Sequence, residues 1–457
     1  MFRPSVLFVV ALVAASYALP PAPASAAELT DVIDADDEND PYDFTGEITY
    51  RRSLRRAKIT REYACSPSLR SFDRDTCPDA GPAGELVQVK ELRYERVIHE
   101  VVPRVRFGIW HDLELAIEAP IVVQDEQSLR FAGNGGDANS AVVTADTSTI
   151  APADEERLFE VPNAGLPTRA GFGDMQFMLR WSPIAQERDD QRGNWTLEFG
   201  YRAPTGQVME FGNEGVGRGV HELTLATSLS RRFHYTDPYV RVAGILPIPS
   251  DSSLFKDYGD SQEHVGPGAR LEFDLGSEFI AFEQPKYGVK IFLDLSLGAT
   301  YQAEGRDYSE LFDAFAGGSA DAQTRTCDPS AATGGNCAVY NPDSRSKLAA
   351  EPTFDGITTV EEYMTFRVRA GFGAYLSKYT KLAVHVGLDH DTEHFLSNAD
   401  IGKDLDGSGL VEAKGDPRYD AAEHNPTYVP AIDAQGRRIR IEETTVFNVA
   451  ANLSLVF

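Results

Sequence analysis

Residues 444–457, TTVFNVAANLSLVF, alternate with a period of two. Phe447, Val449, Ala451, Leu453, Leu455 and Phe457 fall on one face, and Val446, Asn448, Ala450, Asn452, Ser454 and Val456 on the other. That pattern belongs to a β-strand with one almost wholly apolar face. A half-buried strand of a soluble sheet and the closing strand of an outer-membrane barrel both satisfy it. The terminal aromatic residue, with apolar residues two and four places before it, favours the barrel. Phe457 is then expected to act as a signal to the barrel-assembly machinery and as an anchor at the periplasmic interface.

The other end of the chain supports export. Met1-Phe2-Arg3 is a short basic start, Val6 to Ala15 is apolar, and Ala24-Ser25-Ala26 is a small-x-small cleavage site, so residues 1–26 are expected to be a secretory signal peptide. Past residue 27 no run approaches the eighteen or so apolar residues that a spanning helix needs. An exported chain of this kind crosses a membrane as a closed barrel, because lipid cannot hydrogen-bond an open strand edge. Residues 27–43 are acidic and poor in apolar groups. They are expected to be disordered in the periplasm or to fold back into the barrel as a small plug; the sequence leaves both open. The formal net charge of −27 argues against a nucleic-acid partner.

Alternating segments recur near 44–63, 86–108, 113–123, 174–182, 195–204, 221–232, 239–247, 269–279, 289–302, 361–376, 381–390 and 440–457. Twelve is an even number, which puts both ends of the barrel domain, 44–457, on one side. Short connections (108–113, 183–194, 233–238, 280–288, 377–380) alternate with long ones (64–85, 124–173, 205–220, 248–268, 303–360, 391–439). Periplasmic turns and long external loops sort in this way. All three tryptophans, Trp110, Trp181 and Trp195, fall at the short turns, where an aromatic girdle is expected at headgroup depth. The fold expected is an all-β, antiparallel up-and-down transmembrane barrel, monomeric and in contact with outer-membrane lipid and lipopolysaccharide.

Strand alternation also sorts the charges. Arg104, Arg106, Glu114, Glu118, Arg180, Glu198, Arg202, Arg241, Glu272, Asp294, Arg367 and Arg369 fall on the polar faces, which should line the lumen and set its selectivity. Arg104 and Arg106 lie almost opposite Glu118 and Glu114 across the tight turn at 109–112. Such charges can pair across the bore and fill it, or line a narrow polar path for a small solute.

The runs GFGDMQFMLRW (Gly171 to Trp181), WTLEFGYRAPTG (Trp195 to Gly206) and GVGRGVHELTLATSLS (Gly215 to Ser230) resemble an outer-membrane barrel family. That family is named for transport in the meta-pathway of phenol degradation. In it a Gly-x-Gly-Asp strand start precedes a strand ending in Pro-Thr-Gly, and a Gly-rich loop opens the next strand. WHDLELAIEAPIVV (Trp110 to Val123) is similar to its turn and strand before the first long loop. The resemblance covers about half of the chain and implies a barrel with a transport label and no proven substrate; the function expected is passive passage of small solutes, with hydrophobic or aromatic compounds among the candidates. Loops 303–360 and 391–439 have no counterpart in it.

Three further features lie in the long loops. Cys65 with Cys77 and Cys327 with Cys337 form two local pairs, read as disulfides that each stabilise a loop by roughly 3 kcal/mol in the chain-entropy model. Asp404, Asp406 and Ser408 stand at the first, third and fifth places of an EF-hand-like loop over 404–416, with Glu412 close by and Gly415 where the bidentate Glu belongs. Ca²⁺ is the one cofactor this spacing admits, and a structural, Ca²⁺-binding surface barrel is one alternative function. The other is a hydrolase with a rim site built from His390, Asp391 and His394; no Gly-x-Ser-x-Gly motif accompanies it, and no enzyme activity is expected.

Overall fold

The computed structural model describes residues 27–33, 44–64, 86–131, 166–186, 188–189, 191–316, 355–412 and 416–456. Twelve antiparallel strands close into a barrel. They are β1 (Phe44–Ala64), β2 (Leu86–Trp110), β3 (Leu113–Glu118 and Ile121–Phe131), β4 (Arg169–Phe172 and Gln176–Ile184), β5 (Asn194–Arg202) and β6 (Val220–Ser230). The circuit continues through β7 (Thr236–Pro249), β8 (Arg270–Gln284), β9 (Val289–Gln302), β10 (Tyr363–Ser377), β11 (Thr380–Asp391) and β12 (Ile439–Val456). Each strand pairs with its sequence neighbour, and β1 pairs with β12 from Thr45 opposite Val456 to Arg61 opposite Ile439. The barrel therefore has no free edge, which is the condition for a strand-built chain to cross lipid. No helix among the described residues is long and apolar enough to do so.

Side-chain exposure separates the two faces. Ile48, Leu225, Leu246, Leu275, Leu295, Val368 and Leu388 are exposed on the outer wall, while their chain neighbours point inward. A continuous apolar exterior is what a bilayer solvates and water does not. At the short-turn end Trp110, Trp181, Phe233, Phe282, Tyr287 and Tyr379 are exposed on the same wall. Trp195, half-buried there, donates from Nε1 to Thr227 Oγ1 at 2.9 Å. These form the periplasmic girdle, and the protein is a bacterial outer-membrane β-barrel. Phe457 lies outside the described residues.

Local chemistry sets the turns and one bend. His111-Asp112 joins β2 to β3 with Asp112 at φ +48°, a left-handed conformation that Asp tolerates. Pro120 has no amide to give the ladder, so β3 breaks between Glu118 and Ile121. β4 breaks beside it, where Gly173 donates to Pro120 O at 2.8 Å; a Cβ on Gly173 would meet Pro120 Cγ at 3.1 Å.

β1, β2 and β12 contain 21, 25 and 18 residues, well beyond the nine to eleven that span lipid. Their outer ends project past the bilayer and form a wall. Against it, inside the outer mouth, pack Leu311 and, from the short helix Phe312–Ala316, Ala314 and Phe315, with Leu396, Val429 and Ile432. The wall contributes Ile59, Leu92, Tyr94, Ile439 and Ile441, and β3 adds Leu129. A second apolar cluster on the other side of this helix joins Phe312 to Met209, Val220, Phe255 and Ile357. Residues 305–307 and 358–360 pair as a separate two-stranded antiparallel sheet.

If the outward face meets lipid, Leu225→Arg, at a mid-strand position 68% exposed, should cost about 2–4 kcal/mol of folding free energy in lipid vesicles. Denaturant titration of refolding into vesicles measures it, and an unchanged midpoint would mean that this face does not contact acyl chains.

Candidate functional site

The lumen is organised in three levels. At the periplasmic level Arg106 forks onto Glu114, with Nε to Oε1 at 2.9 Å and Nη2 to Oε2 at 2.6 Å. Arg180 approaches the same carboxylate at 3.5 Å. Glu114 is fully buried, so two guanidinium groups compensate for its lost hydration.

Residues 27–33 enter this level and lie across the bore. Arg180 donates to Leu29 O at 2.7 Å and to Asp31 O at 2.9 Å, and Arg106 donates to Asp31 O at 3.0 Å. Ile33 N donates to Glu114 Oε2 at 3.0 Å, and Thr196 Oγ1 donates to Thr30 O at 3.2 Å. Thr30 Oγ1 is 2.7 Å from Ser230 Oγ. On the far wall Glu28 N donates to Glu278 Oε1 at 2.6 Å, the Glu28 carboxylate pairs with Lys381, and Lys290 donates to Glu278 at 3.2 Å. Side chains from β2, β3, β4, β5, β6, β8 and β11 thus hold seven residues of chain. Of the two arrangements open to the N-terminal segment, residues 27–33 take the folded-back one; 34–43 lie outside the described residues.

The middle level carries the remaining charges in cross-strand pairs. Arg104 meets Glu118 at 3.5 Å, Arg241 bridges Glu198 at 3.0 Å and Glu272 at 3.3 Å, and Arg367 meets Asp274 at 2.9 Å. Tyr239 donates to Asp294 at 2.8 Å, and Arg202 meets Glu222 at 2.9 Å. Arg51, one residue that strand alternation left uncollected, meets Glu100 at 3.6 Å. Exposure differs sharply between the levels. The side chains of Arg51 and Arg202 are 48% and 39% exposed, and Arg369 is exposed, although all three point into the barrel. Arg180, below them, is 7% exposed. Solvent-accessible space therefore remains in the middle of the lumen, and three guanidinium groups border it.

The outer level is closed by the cap and its clamps. Arg169, wholly buried, donates from Nη1 to the carbonyls of Glu210, Asn213 and Gly215 at 3.1, 2.9 and 3.3 Å. Its Nη2 pairs with Asp313 at 2.5 Å, so one side chain ties loop 210–215 to the helix Phe312–Ala316. Arg55 reaches from β1 to Glu310 at 2.7 Å and Asp391 at 2.8 Å. No pattern in the sequence points to Arg169, because its partners are carbonyls of a distant loop and a carboxylate on a helix too short to show a period.

All twelve charges assigned to the lumen from strand parity point inward, in the pairs described or, for Arg369, into the solvated middle. The rim histidines do not converge. His390 is exposed on the outer wall and its Nδ1 contacts Thr444 O at 2.9 Å, whereas Asp391 is buried on the inner face. His394 is buried, stacked on Tyr363 at 4.0 Å, with Nδ1 against Thr392 O at 2.8 Å. In loop 404–416, Asp404 accepts amides from Gly407, Ser408 and Gly409 at 2.7–3.1 Å, and these hold its carboxyl below the usual range. Asp406 accepts Ser408 N at 2.8 Å. Glu412 turns instead to Arg418 at 3.3 Å. Cys65, Cys77, Cys327 and Cys337 lie outside the described residues.

No protein-family model matches the chain, and no curated protein matches it. Among solved structures it is similar to an outer membrane channel from Pseudomonas putida F1, at 10% identity and a TM-score of 0.39, over 90% of this chain and 96% of that one. A Pseudomonas aeruginosa FadL homologue gives 8% identity and a TM-score of 0.30, over 90% and 89%. The CymD monoaromatic hydrocarbon channel gives 6% and 0.29, over 89% and 88%. All three TM-scores lie below 0.5, so no property of those proteins is transferred to this chain.

The cap also contains a titrating group. Asp433 is buried, accepting Val429 N at 2.7 Å and Ala399 N at 3.3 Å, and burial pushes its carboxyl up to about 7. An unfolded Asp titrates near 4. Between about pH 4 and pH 7 the folded cap therefore holds a proton that the unfolded chain lacks, so cap stability falls as pH rises through that window and levels off above it. Amide hydrogen exchange over 396–399 and 429–433, corrected for intrinsic rates, should accelerate as pH rises toward 7, and Asp433→Asn should flatten that dependence.

Proposed function

We propose that this barrel is a gated channel for passive diffusion of small solutes across the outer membrane. One observation carries the reading: the guanidinium groups of Arg51, Arg202 and Arg369 point into the bore yet stay exposed, between residues 27–33 at one end and the Arg169 clamp at the other. A barrel that served only as a scaffold gains most by pairing and packing its interior charges along its whole length. Here most are paired, yet these three guanidinium groups keep exposed surface within the bore. Glu100, Glu222 and Asp389 stand beside them on the neighbouring strands, so each guanidinium keeps a carboxylate near it and the bore presents both signs around its wall. Such a surface discriminates among solutes by charge and dipole as they pass.

The two ends are unlike. The outer cap has apolar cores and a buried Arg169–Asp313 pair. The inner closure is seven residues held by hydrogen bonds and ion pairs, with little apolar area to lose on leaving. Movement of residues 27–33 is therefore the cheaper way to open the bore, and no energy-coupled partner is required for it. Small aromatic compounds are among the solutes expected of the channel. Guanidinium groups suit them, since a guanidinium offers a face to a ring and a fork to an attached carboxylate or hydroxyl.

Planar-bilayer recording of the refolded protein tests this. Wild type should show discrete openings separated by long closed periods, and Glu28→Ala with Thr30→Val should raise open probability several-fold at unchanged conductance. Arg51→Glu with Arg369→Glu should move the reversal potential toward cation preference. Silence from all three proteins, with correct folding shown by heat-dependent gel mobility, would refute the channel.

A further inference from the structure

We infer that the external loop carries a Ca²⁺ site built from Asp404, Asp406 and Glu423. The first two stand at the EF-hand-like spacing; the third comes from a separate turn, Ala421–Glu423, and replaces the carboxylate that the motif lacks at Gly415. One carboxylate oxygen from each of the three lies within 4.8 Å of the others. Three negative charges at that separation repel one another strongly unless a cation stands between them.

The independent observation is Glu423 itself. Its side chain is fully buried, and its Oε1 accepts the amides of Leu405 and Asp406 at 2.8 and 2.9 Å. Its Oε2 is buried and has no hydrogen-bond partner among the described residues. A buried carboxylate oxygen without a partner is costly, and proteins rarely leave one so unless something occupies the space in front of it. The nearby cations are engaged elsewhere. Lys403 Nζ donates to Gln262 O at 2.8 Å, and Arg418 pairs with Asp416 and Glu412 at 3.3 Å each.

The donor set selects the ion. All three ligands are hard carboxylate oxygens, and no sulfur or imidazole ligand belongs to the cluster. The two aspartates are exposed, leaving room for the water ligands that complete a coordination shell of six to eight. An external site with three carboxylates falls in the range of extracellular Ca²⁺ modules, with dissociation constants of about 10⁻⁴–10⁻³ M. Its consequence would be local: the turn that carries Glu423 is joined to loop 402–403 by Lys403 N to Glu423 O at 2.8 Å. It is joined to loop 250–268 by Ser261 Oγ to His424 O at 2.7 Å. Ca²⁺ would therefore fasten loop 404–409 to the rim of the outer cap.

Calorimetric titration of chelator-treated, detergent-solubilised full-length protein with CaCl₂, alongside Tb³⁺ luminescence, tests the site. One site of sub-millimolar to millimolar affinity is expected, with protection of 402–412 from limited proteolysis on binding. Glu423→Gln retains an oxygen for the amides of Leu405 and Asp406 and should weaken binding at least tenfold. Glu412→Gln should leave it unchanged. Absence of binding up to about 10 mM, equal binding by wild type and Glu423→Gln, or loss of binding in Glu412→Gln would each overturn the assignment. Heat-dependent gel mobility of each variant verifies that the barrel is folded.

Discussion

Lipid offers no hydrogen bond to a peptide group, and everything else in this molecule follows from that constraint. The pairing of β1 with β12 removes the last open edge. Once the sheet is closed, strand alternation has only two environments to serve, so apolar residues must face acyl chains and polar ones must face the bore. The charges of the lumen are therefore an outcome of closure before they are a functional device. They become one only where they remain hydrated.

The lumen resolves into a contrast between pairing and solvation. Glu114, between Arg106 and Arg180, shows how a buried carboxylate is made tolerable: two cations and a backbone amide saturate it. Arg51, Arg202 and Arg369 show the opposite treatment, each near a carboxylate but exposed to water within the barrel. Two seals of different strength enclose them. The outer one is apolar and clamped by Arg169. The inner one is a turn and a short irregular segment whose carbonyls accept from Arg106 and Arg180, interactions that water can replace at modest net cost.

Most of the barrel was legible in the sequence, because a period of two is imposed on every spanning strand. Strand limits near 44–63, 289–302 and 381–390 agree with the structure within a few residues, and Arg104 stands opposite Glu118 in the observed register. What the alternation could not disclose were contacts across the bore and between loops. Arg169 clamps partners more than forty residues away. Glu423 serves a loop that starts nineteen residues earlier, so a motif confined to twelve consecutive residues pointed to Glu412 instead. Residues 27–33 lack any apolar pattern because their anchorage is by carbonyl and carboxylate groups, which composition alone equates with solvation.

In the proposed channel, residues 27–33 close a path that exists behind them. Thr30 Oγ1 and Ser230 Oγ are 2.7 Å apart, close enough for Thr30→Cys with Ser230→Cys to form a disulfide between segment and wall. Solute flux into proteoliposomes should cease when this bond is oxidised and return when it is reduced, while wild type is indifferent to the same reductant. Equal flux with the segment locked and released would contradict the account.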